Sequence, residues 1–310
     1  MKNLKNQFGL FFVFLSLLSA IILVVRIIRF NPDTIVAPIS ETLTSVNIPF
    51  IQMKETKKDS LTQIVQSIIP RSDNDYGIVI HHLNTNETYS QNDHRMFQSG
   101  SLYKLWVMAT VYDQIKNGKL RETDILKQEI PILNEKFRIA TEDAELTEGT
   151  ITLSIGDALY RMITVSDNYA ALLLSEKVRL STVAQFLKQH GFTESAVGTT
   201  GGFPTATASD IAQFFTLLYQ GKLINKKYDD NMLDLLKQQK LNHKIPKNLP
   251  EDIVVAHKTG ELNLFTHDAG IVYTPKGDYI ITILSESENP DQAEETIADI
   301  SEIVYRYFTE

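Results

Sequence analysis

From residue 60 onward the sequence segregates its two periodicities. Tyr76–Leu83, with Gly77-Ile78-Val79-Ile80 at its centre, and a second run leading to Phe97 read as strands, joined by the turn Asn84–Glu87. Near the other end, Ile253–His257, Ala269–Thr274 and Tyr279–Ser285 read as hairpin-spaced strands, with Pro275-Lys276-Gly277 as one turn. Between these ends the apolar spacing is helical: a long helix from near Ser101 to near Gly118, then Ile155–Ile163, Tyr169–Val178, Val183–His190 and Asp210–Leu218. Leu61–Ile69 and Ala293–Phe308 add a helix at either end. Few folds accept strands at both ends and helices in the middle. The predicted class is α+β: a two-lobed sandwich whose antiparallel sheet comes from both termini of the body, flanked by helices, with an all-helical lobe inserted. The boundaries expected are 60–98 and 250–310 for the sheet lobe and 99–249 for the helical lobe.

Ahead of this body lie two segments of different character. Phe8–Val25 is an 18-residue run broken only by Gly9 and two serines. As a helix it would be about 27 Å long, close to the hydrocarbon thickness of a bilayer. A cleaved signal peptide needs a shorter apolar core ending at a small-residue cleavage site. Ser19-Ala20 offers a poor one, and Ile21–Val25 continues the run past it. Residues 1–30 therefore read as an uncleaved membrane anchor, with secretion after cleavage as the alternative. Lys2 and Lys5 put the amino end in the cytoplasm and the body outside it. Residues 31–59, with Pro32, Pro38, Pro49 and the polar stretch Lys54–Asp59, read as a linker.

Composition narrows the functions. The net charge of −8 combines +4 in residues 1–30 with −12 in the remaining 280. So acidic a body repels phosphate backbones, which argues against nucleic acid as a partner. There is no cysteine, which excludes disulfides, thiolate metal sites and a thiol nucleophile. His81-His82 lies on a strand without a second ligand pair at metal-site spacing, so no metal or other cofactor is expected. Trp106 reads as core, and His257 and His267 as packing or rim residues.

Three short motifs carry chemistry. Ser101-Leu102-Tyr103-Lys104 opens the long helix, and i, i+3 spacing sets the hydroxyl and the amine on one face. A neutral Lys104 there can take the serine proton. Such a pattern occurs about once by chance in a chain of this length. Ser166-Asp167-Asn168 falls between two helices, where helix capping alone would explain it. Lys258-Thr259-Gly260 follows a strand, where a turn alone would explain it. Jointly, the three are expected by chance in about one chain in three hundred, before their order is required. Ser101 is not in a Gly-x-Ser-x-Gly elbow, which argues against a Ser-His-Asp hydrolase.

On these motifs residues 60–310 resemble the class A beta-lactamases, members of the serine beta-lactamase and penicillin-binding-protein superfamily. The resemblance extends to His257–Glu261 with His267–Tyr273, similar to that family's strand pair, and to Met162–Val165 leading into Ser166. It implies Ser101 as the acyl-enzyme nucleophile and Lys104 as its activator. It implies Ser166 as a proton relay to the leaving nitrogen, and Asn168 as the residue orienting Lys104 and the substrate amide. Lys258 and Thr259 would hold the substrate carboxylate beside Gly260, and the backbone N–H groups of Ser101 and Glu261 would form the oxyanion hole. The implied partner is a beta-lactam or a D-Ala-D-Ala-type peptide.

One departure from the family stands out. Class A enzymes carry, after the Ser-Asp-Asn motif, a long loop with a glutamate that positions the deacylating water. Here Gly191–Thr207 is about a dozen residues shorter and has no Glu-x-x-x-Asn. Glu194 is its one carboxylate, too close to the preceding helix to match, and reads as a solvated loop acid. A general base contributes about 10²–10⁴-fold, so slow deacylation is expected. The alternatives are a D,D-peptidase or transpeptidase acting on peptidoglycan, and a non-catalytic wall-binding or antibiotic-sensing module.

Overall fold

The structure is a computed structural model describing residues 60–69, 76–199 and 201–310. The predicted anchor, 1–30, and linker, 31–59, lie outside the described residues. Among the described residues no helix is long and apolar enough to cross a membrane.

A five-stranded antiparallel sheet organises the body. Its strands are β1 (Tyr76–His82), β2 (Thr88–Gln91), β7 (Val255–Leu262), β8 (Phe265–Val272) and β9 (Tyr279–Glu286), in the order β2-β1-β9-β8-β7. β1 pairs with β9 from Tyr76↔Ser285 to His82↔Tyr279, so the two ends of the body meet at the sheet's centre as predicted. Two small ribbons lie elsewhere: β3 (Phe97–Gln98) with β6 (Thr205–Ala206), and β4 (Ile125–Glu129) with β5 (Thr150–Ser154).

β9 shows why the sheet is a central layer. Its alternate residues point to opposite faces. Tyr279, Ile281 and Ile283 enter one core with Ile78 and Ile80 of β1. That core is closed by α1 (Leu61–Ile68) and the C-terminal α9 (Pro290–Thr309), through Leu61, Val65, Ile297, Ile300 and Val304. Ile280 and Leu284 join the second core, shared with the helical lobe. A strand covered on both faces has no polar alternation to show, and β9 has none.

The helical lobe holds α2 (Tyr103–Lys116), α3 (Ile130–Lys136), α4 (Ile155–Thr164), α5 (Asn168–Val178), α6 (Leu180–Gln189), α7 (Ala208–Tyr219) and α8 (Lys226–Leu236). α2 runs through its middle, buried from Lys104 to Tyr112. Trp106 is core as expected, packed against Phe192 and Phe214. α4 begins at Ser154, whose side chain accepts from Asp157 N–H, and α5 at Asp167, whose carboxylate accepts from Ala170 N–H.

Two sequence expectations need correction. Ser101 does not start the long helix. Gly100–Leu102 forms a 3₁₀ turn before it, and α2 begins at Tyr103. Lys258-Thr259-Gly260 does not follow its strand but lies inside it, since β7 continues to Leu262. Glu261 and Leu262 pair with Thr266 and Phe265, and this pairing carries the strand past the glycine.

Candidate active site

Among the described residues β7 ends the sheet, and no strand pairs with its outer edge. The Ser101 turn sits against that edge, and two glycines permit the approach. A Cβ on Gly100, whose φ is +48°, would lie 2.7 Å from the Glu261 backbone nitrogen. A Cβ on Gly260 would lie 2.7 Å from the Ser99 carbonyl oxygen. Backbone therefore packs directly on backbone, and half-buried Ser101 is brought beside the Gly260–Glu261 amides.

The segment entering this turn is fixed from both sides. Ser99 N–H donates to the Pro204 carbonyl at 2.8 Å. His267 Nε2 donates to the Gln98 carbonyl at 2.8 Å, while its Nδ1 accepts from Ser285 N–H at 3.1 Å. One nitrogen donating and the other accepting specifies a neutral ring. Burial pushes its pKa down to about 4, in keeping with that state. His267 is therefore a packing residue, as expected. So is His257, buried between Asp268 at 2.9 Å and Asn242 at 3.1 Å.

The structure brings the three motifs together around Lys104, which is fully buried. Its Nζ donates to the Ser166 carbonyl at 2.6 Å, to Asn168 Oδ1 at 2.7 Å and to Ser166 Oγ at 3.2 Å. Three acceptors match the three protons of an ammonium, and none of them carries charge. Burial pushes the Lys104 pKa down to about 8, against the opposing pull of the Asp167, Glu145 and Glu261 carboxylates. Lys258, also fully buried, donates to the same Ser166 Oγ at 3.1 Å and to the Thr259 carbonyl at 2.9 Å. Its pKa too is depressed, first by burial and then by the Lys104 charge. Ser166 thus bridges two amines. It does so from a left-handed backbone, φ +58°, which costs a non-glycine residue about 1–2 kcal/mol. Strain held at such a junction points to a function beyond capping.

Two functional neighbours carried no signal in the sequence. Glu145 is exposed between α3 and β5, and its carboxylate accepts from Asn168 Nδ2. It lies in the acid-rich stretch Glu142–Glu148, where nothing marks one carboxylate from the next. Beside it opens a cavity of about 600 Å³, running along α5 from Asn168 past Leu172 to Ser175 and covered by Gly198 and Phe203. The second is Lys244, fully buried and paired with the Glu261 side chain. His243, Glu261 and Glu294 offer ligand atoms within 4.8 Å of one another, but the Lys244 ammonium already sits among them.

Gly191–Thr207 does not direct its carboxylate into the cluster around Lys104. Glu194 bonds His94 Nδ1 at 3.0 Å and accepts from Thr207 Oγ1 at 3.2 Å. Asp210 is buried and accepts from Glu194 N–H at 3.0 Å.

The chain has counterparts among known proteins. Residues 60–308 match the model of the beta-lactamase enzyme family. The beta-lactamase of Sphaerobacter thermophilus DSM 20745 is 23% identical, over 80% of this chain and 96% of its own, with a TM-score of 0.69. The class A beta-lactamase of Bacteroides cellulosilyticus DSM 14838 is 23% identical over 80% and 98%, with a TM-score of 0.65. PBP-A is 21% identical over 80% and 95%, with a TM-score of 0.70. No curated protein matches the chain significantly. The family match spans the body, the solved structures share its fold, and the serine, lysine and amide motifs meet at one edge strand: the chain belongs to the beta-lactamase enzyme family, as a serine hydrolase acting on amides.

Proposed function

We propose that this protein opens beta-lactam amides through Ser101 and releases the acyl group slowly. The observation that carries the reading is the Lys104 environment: a buried amine one turn after Ser101, held by uncharged acceptors, with its pKa lowered to about 8. In its neutral form Lys104 takes the Ser101 proton as Oγ attacks the lactam carbonyl. The oxyanion is received by the N–H groups of Ser101 and Glu261, and one such donor is worth about 10²–10³ in rate. Ser166, in contact with both Lys104 and Lys258, passes a proton to the leaving nitrogen as the C–N bond breaks. Asn168 steadies Lys104 and the substrate amide. Lys258 and Thr259 hold the substrate carboxylate, and Gly260 leaves room for the nucleophile's turn.

Slow release is supported by the engagement of Glu194 with His94 and Thr207. A substituted form of PBP-A is known as an acyl-enzyme complex with penicillin G, which fits this chemistry. The same loop favours a second reading, a D,D-peptidase or transpeptidase acting on peptidoglycan, which beta-lactams would inhibit by stable acylation. Phe8–Val25 and its basic flanks support a single-pass anchor in the cytoplasmic membrane with the catalytic body outside. The expected result with a fluorescent penicillin and the full chain is a burst of one enzyme equivalent followed by slow turnover. Fast turnover without a burst would overturn the slow-release reading.

A further inference from the structure

Strand alternation divides the side chains of β7 between two faces. Lys258 and Gly260 face the nucleophile's turn and Ser166. Thr259 and Glu261 share the other face, where the Glu261 carboxylate meets Lys244. Lys244 is rigidly placed. The following residue, Ile245, donates its N–H to Asp268 at 3.0 Å and accepts from Ser301 Oγ at 2.8 Å. The ammonium also lies 3.6 Å from Glu294 and donates to His243 Nε2 at 3.0 Å. The same His243 nitrogen lies 3.5 Å from Glu261 and 3.3 Å from Glu294. Two carboxylates, Glu261 and Glu294, thus converge on the Lys244 ammonium. Glu261, half-exposed, is therefore an anion two residues along the same strand face from Thr259.

We propose that the Glu261 side chain is a specificity determinant of carboxylate recognition: it occupies Lys244 as an internal counter-anion, and so weakens selection for acyl donors with a free carboxylate beside the scissile amide. This is distinct from any role of the Glu261 backbone N–H. It rests on the reading of Ser101 as the acylated residue and of Thr259 as part of the carboxylate site.

Benzylpenicillin and its methyl ester differ only in that carboxylate. The measurement is the ratio of their second-order rate constants for acylating Ser101, acid over ester, in the full-length protein. Glu261→Gln keeps a hydrogen-bond acceptor for Lys244 and removes the charge. The ratio is expected to rise about fivefold, the upper worth of a partly exposed charge contact. Glu294→Gln removes a charge from the same cluster at longer range and is expected to raise the ratio less. It carries the test if Glu261→Gln fails to fold. A ratio unchanged or lowered in the folded variants overturns the inference while leaving the acyl-enzyme reading intact. No adduct with either compound overturns both.

Discussion

Besides Lys258 on β7 itself, Lys104 and Lys244 are fully buried within reach of that strand, yet they touch opposite kinds of partner. Lys104 meets a carbonyl, a hydroxyl and an amide oxygen. Lys244 meets the Glu261 and Glu294 carboxylates. Burial penalises both cations. Only at Lys244 does a contacting anion offset that penalty. At Lys104 the carboxylates of Asp167, Glu145 and Glu261 act without touching it, and the balance leaves an amine that gives up its proton at about pH 8. The lesson is that contact charge, more than depth, decides whether a buried lysine serves as a base or as half of an ion pair.

The strongest way to break this comparison is to remove the nucleophile or its base. Ser101→Ala is expected to abolish the penicillin adduct, and Lys104→Met to slow labelling by about 10²–10⁴. Intact-mass measurement after a timed exposure decides both. Undiminished labelling of Ser101→Ala would sink the mechanism, and undiminished labelling of Lys104→Met would remove Lys104 from it.

Stability should respond in the opposite sense. Lys244→Met leaves two carboxylates adjacent and without their cation. Both are partly exposed, so the cost is expected near or below the low end for broken buried pairs, about 2–3 kcal/mol. Lys104→Met also removes a buried cation, but one with uncharged partners. The gain in desolvation offsets the orphaned acceptors, and the net change is expected within about 1 kcal/mol of zero. Denaturant melts of the two variants sharpen the comparison. Equal losses would mean that contact charge does not separate the sites.

A third effect is the pH profile of acylation. The active form of Lys104 is neutral, and its pKa in the folded protein is lowered to about 8. Labelling should therefore rise about tenfold per pH unit up to that point and level off above it. A flat profile from pH 6 to 9 would show that Lys104 is not the titrating base.

How far the sequence reveals this arrangement depends on which force fixed each part. The sheet was legible because β1, β9 and the second half of β8 are apolar; the first half of β8 carries Thr266, His267 and Asp268 and shows no such run. β4, α3, β5 and α8 were missed. β4 and β5 alternate weakly and are largely exposed, and α8 mixes Lys226, Lys227, Asp229 and Asp230 with its apolar face. The three motifs could be found because their chemistry demands particular residue types at short spacings. Gly260 read as part of a turn after a strand, yet it is a strand residue whose missing Cβ admits the Ser99 carbonyl. Lys244 and Glu145 were not legible at all. Each acts through a partner 17 or 23 residues away, and no local spacing records such a contact.

The smallest expected effect concerns Glu145, and it separates two ways in which a carboxylate can matter here. Glu145 accepts from Asn168 Nδ2, while Asn168 Oδ1 accepts from Lys104. Its charge raises the Lys104 pKa against the dominant lowering by burial. Glu145→Gln keeps an acceptor for Asn168 and removes the charge. The midpoint of the pH profile should move to lower pH, more Lys104 should be neutral at pH 7, and labelling there should rise about twofold, as befits an exposed charge. Acyl release is expected to change by less than about twofold, because the role expected of Glu145 is electrostatic. If release instead fell by about 10² or more, the worth of a general base, Glu145 would be the water-activating carboxylate that Gly191–Thr207 lacks. It would then act from the stretch before Ser166, where the class A pattern does not put it.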